Sequence, residues 1–390
     1  MQHNANIDKL VGVYPFSALT KRVREVEASG VDVIRLHIGD VLGPITSSPA
    51  DLMEAEIKRQ SQRDSFRGYQ NEAGIDDTRE IVADYISRLA GKEILPEEVF
   101  ITYGIKDEIP ILMWLFDRNS NFAIERPVYP AYEGVITICS AGNITYMDCN
   151  EDNDFIPDLP DKDVDIMFLN RPNNPTGAGM TLTQYQDRVD WANKNGAIIV
   201  QDSAYSVFGE NEYPKSILAA EDAKCCCIEM FSLSKSHAAT AMRSGAVIIP
   251  RELQCSSTDD LYTKWTTMIG FMKNGVGLEN QAFIRGALSQ SGLRESHEAI
   301  DEYKDSGELL NAGFRDQGYT VKGGENAPYS LIKTPNGMTG NDLAEIFLSQ
   351  QGVAVAPTEI FNLPGWVRIH HFITAERSKE ALDRIAKVSL

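Results

Sequence analysis

The chain is short of cysteine, short of positive charge and without long apolar runs, and each shortage removes a class of function. Six cysteines among 390 residues, three of them contiguous at Cys225, Cys226 and Cys227, do not make a disulfide framework. Neighbouring strand residues point to opposite faces, so the triplet reads as a reduced, partly buried strand rather than a metal site. Lys and Arg number 37 against 56 Asp and Glu, a net charge of −19. That field repels nucleic-acid phosphates and anionic lipids, so neither nucleic acid nor membrane is expected as a partner. It leaves room for a small anionic substrate, because a few local cations outweigh the global charge. No apolar run approaches the ~18 residues that span a bilayer. The start, Met1 to Asp8, lacks the basic and apolar blocks of a signal peptide, and the expected location is cytoplasmic.

What is present is ordinary globular material: 43% hydrophobic and 24% charged residues. A length of 390 residues suits one large domain plus a smaller one. No internal repeat or low-complexity tract interrupts it. From about Glu97, short apolar runs alternate with longer polar-periodic stretches. Val99–Tyr103, Asn121–Ile124, Ile166–Leu169, Ala197–Gln201, Cys226–Phe231 and Gly245–Ile249 read as strands, and Thr183–Lys194 as a helix. The alternation predicts an α/β fold, a mostly parallel sheet covered by helices on both faces. Beyond it, 293–317 reads as a long helix, Tyr329–Lys333, Val353–Ala356 and Trp366–Phe372 as strands, and Glu380–Lys387 as a closing helix. The expected division is an N-terminal arm over 1–45 that joins the smaller part, a large domain over 46–290 and a small α+β domain over 291–390.

Four of these strands end in residues with chemistry to offer. Gly104 follows Tyr103, Asn170 follows Leu169, Asp202 follows Gln201 and Ser232 follows Phe231. Ligands of such sheets sit at the carboxyl ends of the strands, so these ends are expected to converge on one site. Three signatures stand there: Asn174-Pro175-Thr176-Gly177, Asp202-Ser203-Ala204-Tyr205 and Ser232-Leu233-Ser234-Lys235, with Arg243 eight residues further on. Singly each has a plainer meaning. Asn174 sits in a tight-turn sequence, Asp202 is placed for a helix N-cap, and a lysine after serine is a solvated charge.

Together, in this order, they resemble the site of the class I/II aminotransferases of fold-type I, enzymes dependent on pyridoxal 5′-phosphate (PLP). The resemblance runs from about Tyr14 to the C-terminus. It implies a large domain with a sheet of the seven-stranded type and a homodimer with shared sites. Lys235 is then the Schiff-base lysine and the base at the substrate Cα, which requires a lowered pKa. Asp202 faces the ring nitrogen, Tyr205 and Asn174 donate to O3′, and Tyr129 stacks on the ring unless it is simply a core tyrosine. Gly104, Ile105 and Lys106 at a helix start, with Ser232, Ser234 and Arg243, form the phosphate cradle. Arg368, a charge on the apolar run Trp366–Ile369, binds the substrate α-carboxylate together with Asn174 and Gly39. Tyr69 reaches the phosphate of the neighbouring subunit.

Within the family the chain leans toward the LL-diaminopimelate aminotransferase branch, through Tyr14-Pro15-Phe16, Val33 to Val41, Asn326-Ala327-Pro328-Tyr329 and Lys273-Asn274-Gly275. In that branch Glu72 falls where a glutamate reads the distal end of the substrate and Lys106 falls on the phosphate-loop lysine; Lys106 and Asn274 are also expected to bind substrate. Glu72 and Lys106 are surface charges on the alternative reading. Several positions depart from the pattern: His37 replaces a glycine, Ala241-Met242-Arg243 replaces Gly-x-Arg, Val13 stands where tyrosine is expected, and 357–366 lacks a Gly/Ser-rich approach to Arg368. A rebuilt pocket edge shifts substrate preference, so the expected donor is an amino acid with a distal amine or other polar group, and the acceptor a 2-oxo acid. The same scaffold also serves β- or γ-eliminating lyases, cyclases and amino-acid oxidases. A non-enzymatic module would be expected to lose Lys235 or Asp202, or to carry an appended DNA-binding segment.

Overall fold

The computed structural model describes residues 3–10, 14–41, 43–161, 163–237, 239–254, 260–335 and 337–389; Val13 lies outside them. A short first strand, β1 (Ile34–Arg35), precedes the seven strands of the main sheet. These are β2 (Val99–Thr102), β3 (Phe122–Arg126), β4 (Ile144–Asp148), β5 (Ile166–Asn170), β6 (Ile198–Asp202), β7 (Cys227–Ser232) and β8 (Gly245–Ile248). Their order is β2-β8-β7-β6-β5-β3-β4, parallel from β4 through β7, with β8 antiparallel to both neighbours.

Period-two alternation places this sheet between two apolar layers. Phe168, Val200, Ile228 and Val247 point into one cluster, and Met167, Ile199, Phe231 and Ala246 into the other. Strands buried on both faces therefore read as unbroken apolar runs, which is why their positions are visible in the sequence. The edge strand β4 is not: Ile144–Asp148 is half-covered and carries Thr145, Tyr146 and Asp148.

The remaining strands are β9 (Val321–Gly323), β10 (Tyr329–Lys333), β11 (Val353–Ala354), β12 (Ala356–Pro357) and β13 (Trp366–His370). They make a four-stranded sheet, β12-β13-β10-β9, and a two-stranded one in which β1 pairs with β11. The expected strand Val353–Ala356 is thus interrupted at Val355, and its halves serve different sheets. The long helix runs Gln290–Asp316 and the closing helix Ala375–Ile385. A separate core of Leu310, Phe314, Leu343, Phe347, Val367 and Ile369 lies beneath them. Residues Ala5–Leu10, a 3₁₀ turn, pack instead on the helix Ala131–Cys139, where Asn4 and Asn6 donate to the carbonyls of Ile138 and Ser140.

The cysteine triplet is not a continuous strand. Cys225 ends a 3₁₀ turn, Cys226 follows it, and only Cys227 belongs to β7; all three are free thiols.

Candidate active site

The main-sheet strands deliver their last residues to one cavity of about 600 Å³. Asn170 ends β5, Asp202 ends β6 and Ser232 ends β7, and Gly104 follows β2 by one intervening residue. Of the residues expected in the site, Gly39, Ile105, Lys106, Tyr129, Asn174, Asp202, Tyr205, Ser232, Ser234, Lys235, Arg243 and Arg368 line this cavity. Gly104 sits directly behind Arg243: a Cβ on it would stand 2.9 Å from Arg243 Nη2, and its φ of +102° favours glycine.

Lys235 lies at the cavity floor, its Nζ donating to the Gly39 carbonyl and standing 5.7 Å from the Phe372 ring centre. Burial lowers its pKa to about 8, with Arg368 and Arg243 pushing the same way and Asp40 opposing. Asp202 is shifted the other way, up to about 6, again by burial first; bonds from Tyr132 and from the Ala204 amide, and the charge of Lys235, oppose that. Its Oδ1 accepts from the Ala204 N–H at 2.9 Å, a turn contact rather than a helix N-cap, since the 3₁₀ helix that follows has Tyr205 at its N-cap position. The same side chain also faces the cavity.

Arg368, on β13, is fully buried. Its Nη1 donates to Asn174 Oδ1 at 2.7 Å and its Nη2 to the His37 carbonyl at 2.6 Å. Its Nε is buried without a partner. The rings of Tyr329 and Phe361 flank it, 4.5 and 5.0 Å from the guanidinium carbon. Phe361 belongs to the departing 357–366 segment, which therefore supplies an aromatic wall beside the arginine. His37 contributes its carbonyl; its side chain is buried and borders a smaller cavity behind the site.

Behind Asn174 stands a buried ion pair. Glu125 Oε1 accepts from Arg171 Nε at 2.7 Å, and Glu125 Oε2 accepts from the Asn170 amide at 2.8 Å. Asn170 Oδ1 in turn accepts from the Asn174 amide at 2.8 Å. The Asn-Pro-Thr-Gly turn is thus fixed from the sheet side before it meets Arg368.

At the cradle, the helix Ile105–Leu112 starts immediately after Gly104, so its first amides lack intrahelical acceptors. Ser232 Oγ accepts from the Ser234 amide at 3.1 Å. Arg243 pairs with Asp107 at 2.7 Å, and its Nη1 lies 3.4 Å from Ser234 Oγ. Lys106 Nζ sits 4.7 Å above the Tyr14 ring, and the Tyr14 hydroxyl donates to that of Tyr129 at 2.9 Å. The first segment of the chain therefore closes one wall of the cavity.

Three expected site residues lie elsewhere. Tyr69 is 89% exposed, Glu72 half-buried and Asn274 exposed, and none lines the cavity. Glu72 and Asn274 lie on adjoining segments, since a Cβ on Gly275 would be 3.6 Å from the Glu72 Cα. Conversely, the cavity contains Phe16, Asp40, Tyr132, Thr240 and Tyr329, to which sequence reasoning assigned no role. The Tyr205 and Tyr329 hydroxyls are 3.0 Å apart. No local signal singles out Tyr132, which lies in the first turn of the helix Ala131–Cys139 while Tyr129 precedes that helix.

Residues 31–385 match the family described as aminotransferase class I and II. The chain belongs to that family. It is 33% identical to the LL-diaminopimelate aminotransferase of Lachnospira eligens, over 98% of both chains. It is 33% identical to the enzyme of that name from Prochlorococcus marinus, over the full length of both. Among solved structures, L,L-diaminopimelate aminotransferase from Chlamydomonas reinhardtii superposes with a TM-score of 0.93 at 31% identity, covering 99% of this chain and 98% of that one. The fold is accordingly that of the fold-type I enzymes, and the aminotransferase is an enzyme of amino-group transfer. The relatives do not favour the lyase, cyclase or oxidase alternative. Members of the family depend in general on PLP.

Proposed function

We propose that this aminotransferase holds PLP in the cavity and moves an amino group between an amino acid and a 2-oxo acid. The observation that carries this reading is the meeting of Lys235, Asp202 and Arg368 around one cavity. The residues fit the group. A buried Nε of Arg368 is without a partner, a buried carboxylate faces the cavity, a helix start adjoins a glycine whose positive φ disfavours any side chain, and a lysine of lowered pKa lines the same cavity. When bound, PLP supplies an electron sink for the charge left at the substrate Cα.

The chain supplies the rest. With the cofactor bound, the neutral amine of Lys235 would serve as the base that moves the substrate Cα proton. Asp202 holds a proton at the ring nitrogen, and Tyr205 and Asn174 donate toward O3′. Tyr129 covers a ring face. Gly104, Ile105, Lys106, Ser232, Ser234 and Arg243 take the phosphate. Arg368 and Asn174 grip the α-carboxylate, while Gly39 lets the backbone approach.

The named relatives support a substrate of the diaminopimelate kind, an amino acid with a distal polar group. On this reading Tyr69, Glu72 and Asn274 serve the site of a second copy, in a homodimer. The exposed aromatic side chains of Phe66, Tyr69 and Phe271 in that region support it. The division into 46–290, carrying the phosphate and ring contacts, and 291–390, carrying Arg368, is proposed on the same footing, with 1–45 bringing Tyr14 and Gly39 to the cavity. An absorbance titration tests the function. The band of the bound cofactor should fade with diaminopimelate, lysine, ornithine or glutamate as donor and return on adding a 2-oxo acid. Release of ammonia without that return would overturn amino transfer, and absence of any cofactor band would overturn the assignment of Lys235.

A further inference from the structure

We propose that Tyr132 is a positioning residue for the cofactor ring: its hydroxyl fixes the Asp202 carboxylate that faces the ring nitrogen, and its ring props Tyr129. The inference rests on the reading of the cavity as a PLP site. Tyr132 lies in the first turn of the helix Ala131–Cys139 and is 1% exposed. Its hydroxyl donates to Asp202 Oδ2, the one hydrogen bond it makes among the described residues. Its ring meets Tyr129 edge-on, with centres 6.0 Å apart and planes at 85°, and lies against Phe168 at 5.7 Å on the core side. One side chain thus touches the group beneath the ring nitrogen and the aromatic group at the ring face.

Asp202 has few means of staying charged. Among the described residues no cation pairs with it, and its hydrogen bonds come from the Ala204 amide and the Tyr132 hydroxyl. Burial favours its neutral form, and those two donors oppose burial. A neutral acid has no charge with which to hold a protonated ring nitrogen. Each carboxylate oxygen accepts two hydrogen bonds, so the bond from Tyr132 leaves capacity for the ring N–H. Removing the hydroxyl therefore has a specific consequence. Asp202 must then ionise with one donor fewer, the Ala204 amide alone, when it meets the ring nitrogen, and that added cost arises only if the ring has a nitrogen.

The test compares two ligands on cofactor-stripped protein: PLP, and an analogue with carbon in place of the ring nitrogen. Affinities are read by absorbance and fluorescence, independently of turnover. Tyr132→Phe, which keeps the ring, is expected to weaken PLP about tenfold, the loss of one charge-assisted hydrogen bond. The analogue should lose less than about twofold. Tyr132→Leu, which also removes the prop for Tyr129, should weaken both. Equal losses of both ligands in Tyr132→Phe would reduce Tyr132 to packing and overturn the proposal, as would no loss. Replacing Tyr132 by 3-fluorotyrosine, a stronger donor of nearly the same shape, should raise the preference for PLP over the analogue; an unchanged or lowered preference counts against the proposal. Asp202→Asn separates the two levels of argument. If it does not discriminate between the ligands, the placement of Asp202 at the ring nitrogen fails. If it discriminates and Tyr132→Phe does not, only the role of Tyr132 fails.

Discussion

Asn174 Oδ1 accepts a hydrogen bond from Arg368 Nη1 at 2.7 Å, joining two residues 194 positions apart in the chain. One comes from a turn after β5, the other from β13 of a different sheet. The contact orients the guanidinium, because Nη2 is held on its other side by the His37 carbonyl. An arginine fixed at two nitrogens presents its remaining donors in a set direction, and a planar carboxylate is gripped most strongly by a planar, pre-oriented partner.

Arg368→Lys is therefore not conservative. A lysine ammonium cannot satisfy Asn174 and His37 and still offer two parallel donors. We expect kcat/KM to fall about a hundredfold for donor and acceptor alike, mostly through KM, because both carry an α-carboxylate. Asn174→Ala leaves the charge and removes one guide, and the expected loss is about tenfold. Steady-state kinetics with both half-reactions measures this. A loss confined to the donor would mean that Arg368 does not serve the common carboxylate.

The lowered pKa of Lys235 has a stability consequence in the cofactor-free protein. Its ordinary value is 10.5 and its value in the fold about 8. Below about pH 8 the fold carries a buried ammonium at a cost. Between about 8 and 10.5 the native state gives up its proton before the unfolded state does, so stability rises with pH. Lys235→Met removes the penalty, and at pH 7 should stabilise the cofactor-free protein by up to about 3 kcal/mol. The gain should shrink as pH approaches 10. Urea denaturation at the two pH values decides it; an equal difference at both would mean that the charge is not the cause. The variant should be inactive at every pH.

The Glu125–Arg171 pair makes a different kind of prediction. Both side chains have no exposure, so removing one leaves a buried charge alone. Glu125→Gln should cost about 3–5 kcal/mol of stability. It should also release the Asn170 amide and slacken the turn at Asn174, raising KM beyond what the stability loss explains. Glu125→Gln combined with Arg171→Met should recover much of the stability. Failure of the second change to help would show that the packing around β3 and β5, rather than charge, sets the cost.

How much of this was legible in the sequence follows the physics of each element. The strand ends at Asn170, Asp202 and Ser232 were readable because strands buried on both faces form unbroken apolar runs. Arg368 was readable because it places a charge on an apolar run where charge is otherwise costly, and Lys235 and Arg243 because their motifs, taken together and in order, resemble those of the family. Residue Tyr132 was not singled out, since a tyrosine in an apolar helix gives no local sign of a carboxylate 70 positions away. Nor was the break at Val355: Val-Ala-Val-Ala-Pro is uniformly apolar, and only tertiary pairing divides it between β11 and β12. The strand β4 was missed because its edge position removes the apolar signature. Tyr69 was expected to reach a neighbouring subunit and Glu72 and Asn274 to bind substrate; none of the three lines this chain's own cavity, which sets up the last prediction.

If Tyr69 serves the site of a second copy, two inactive variants should complement each other. Tyr69→Ala lacks the contribution made to the partner, and Lys235→Ala lacks the base in its own cavity. Each homodimer should have little activity. Mixed and allowed to exchange subunits, half of the dimers become mixed, and in each of these one site has an intact Lys235 facing an intact Tyr69. Roughly a quarter of all sites should then work, as the two-fold symmetry of a shared-site dimer requires. Recovered activity after dissociation and reassembly, compared with the unmixed variants treated in the same way, measures it. If the protein is dimeric and exchanges but regains nothing, Tyr69 does not act across an interface, and its 89% exposure has another meaning.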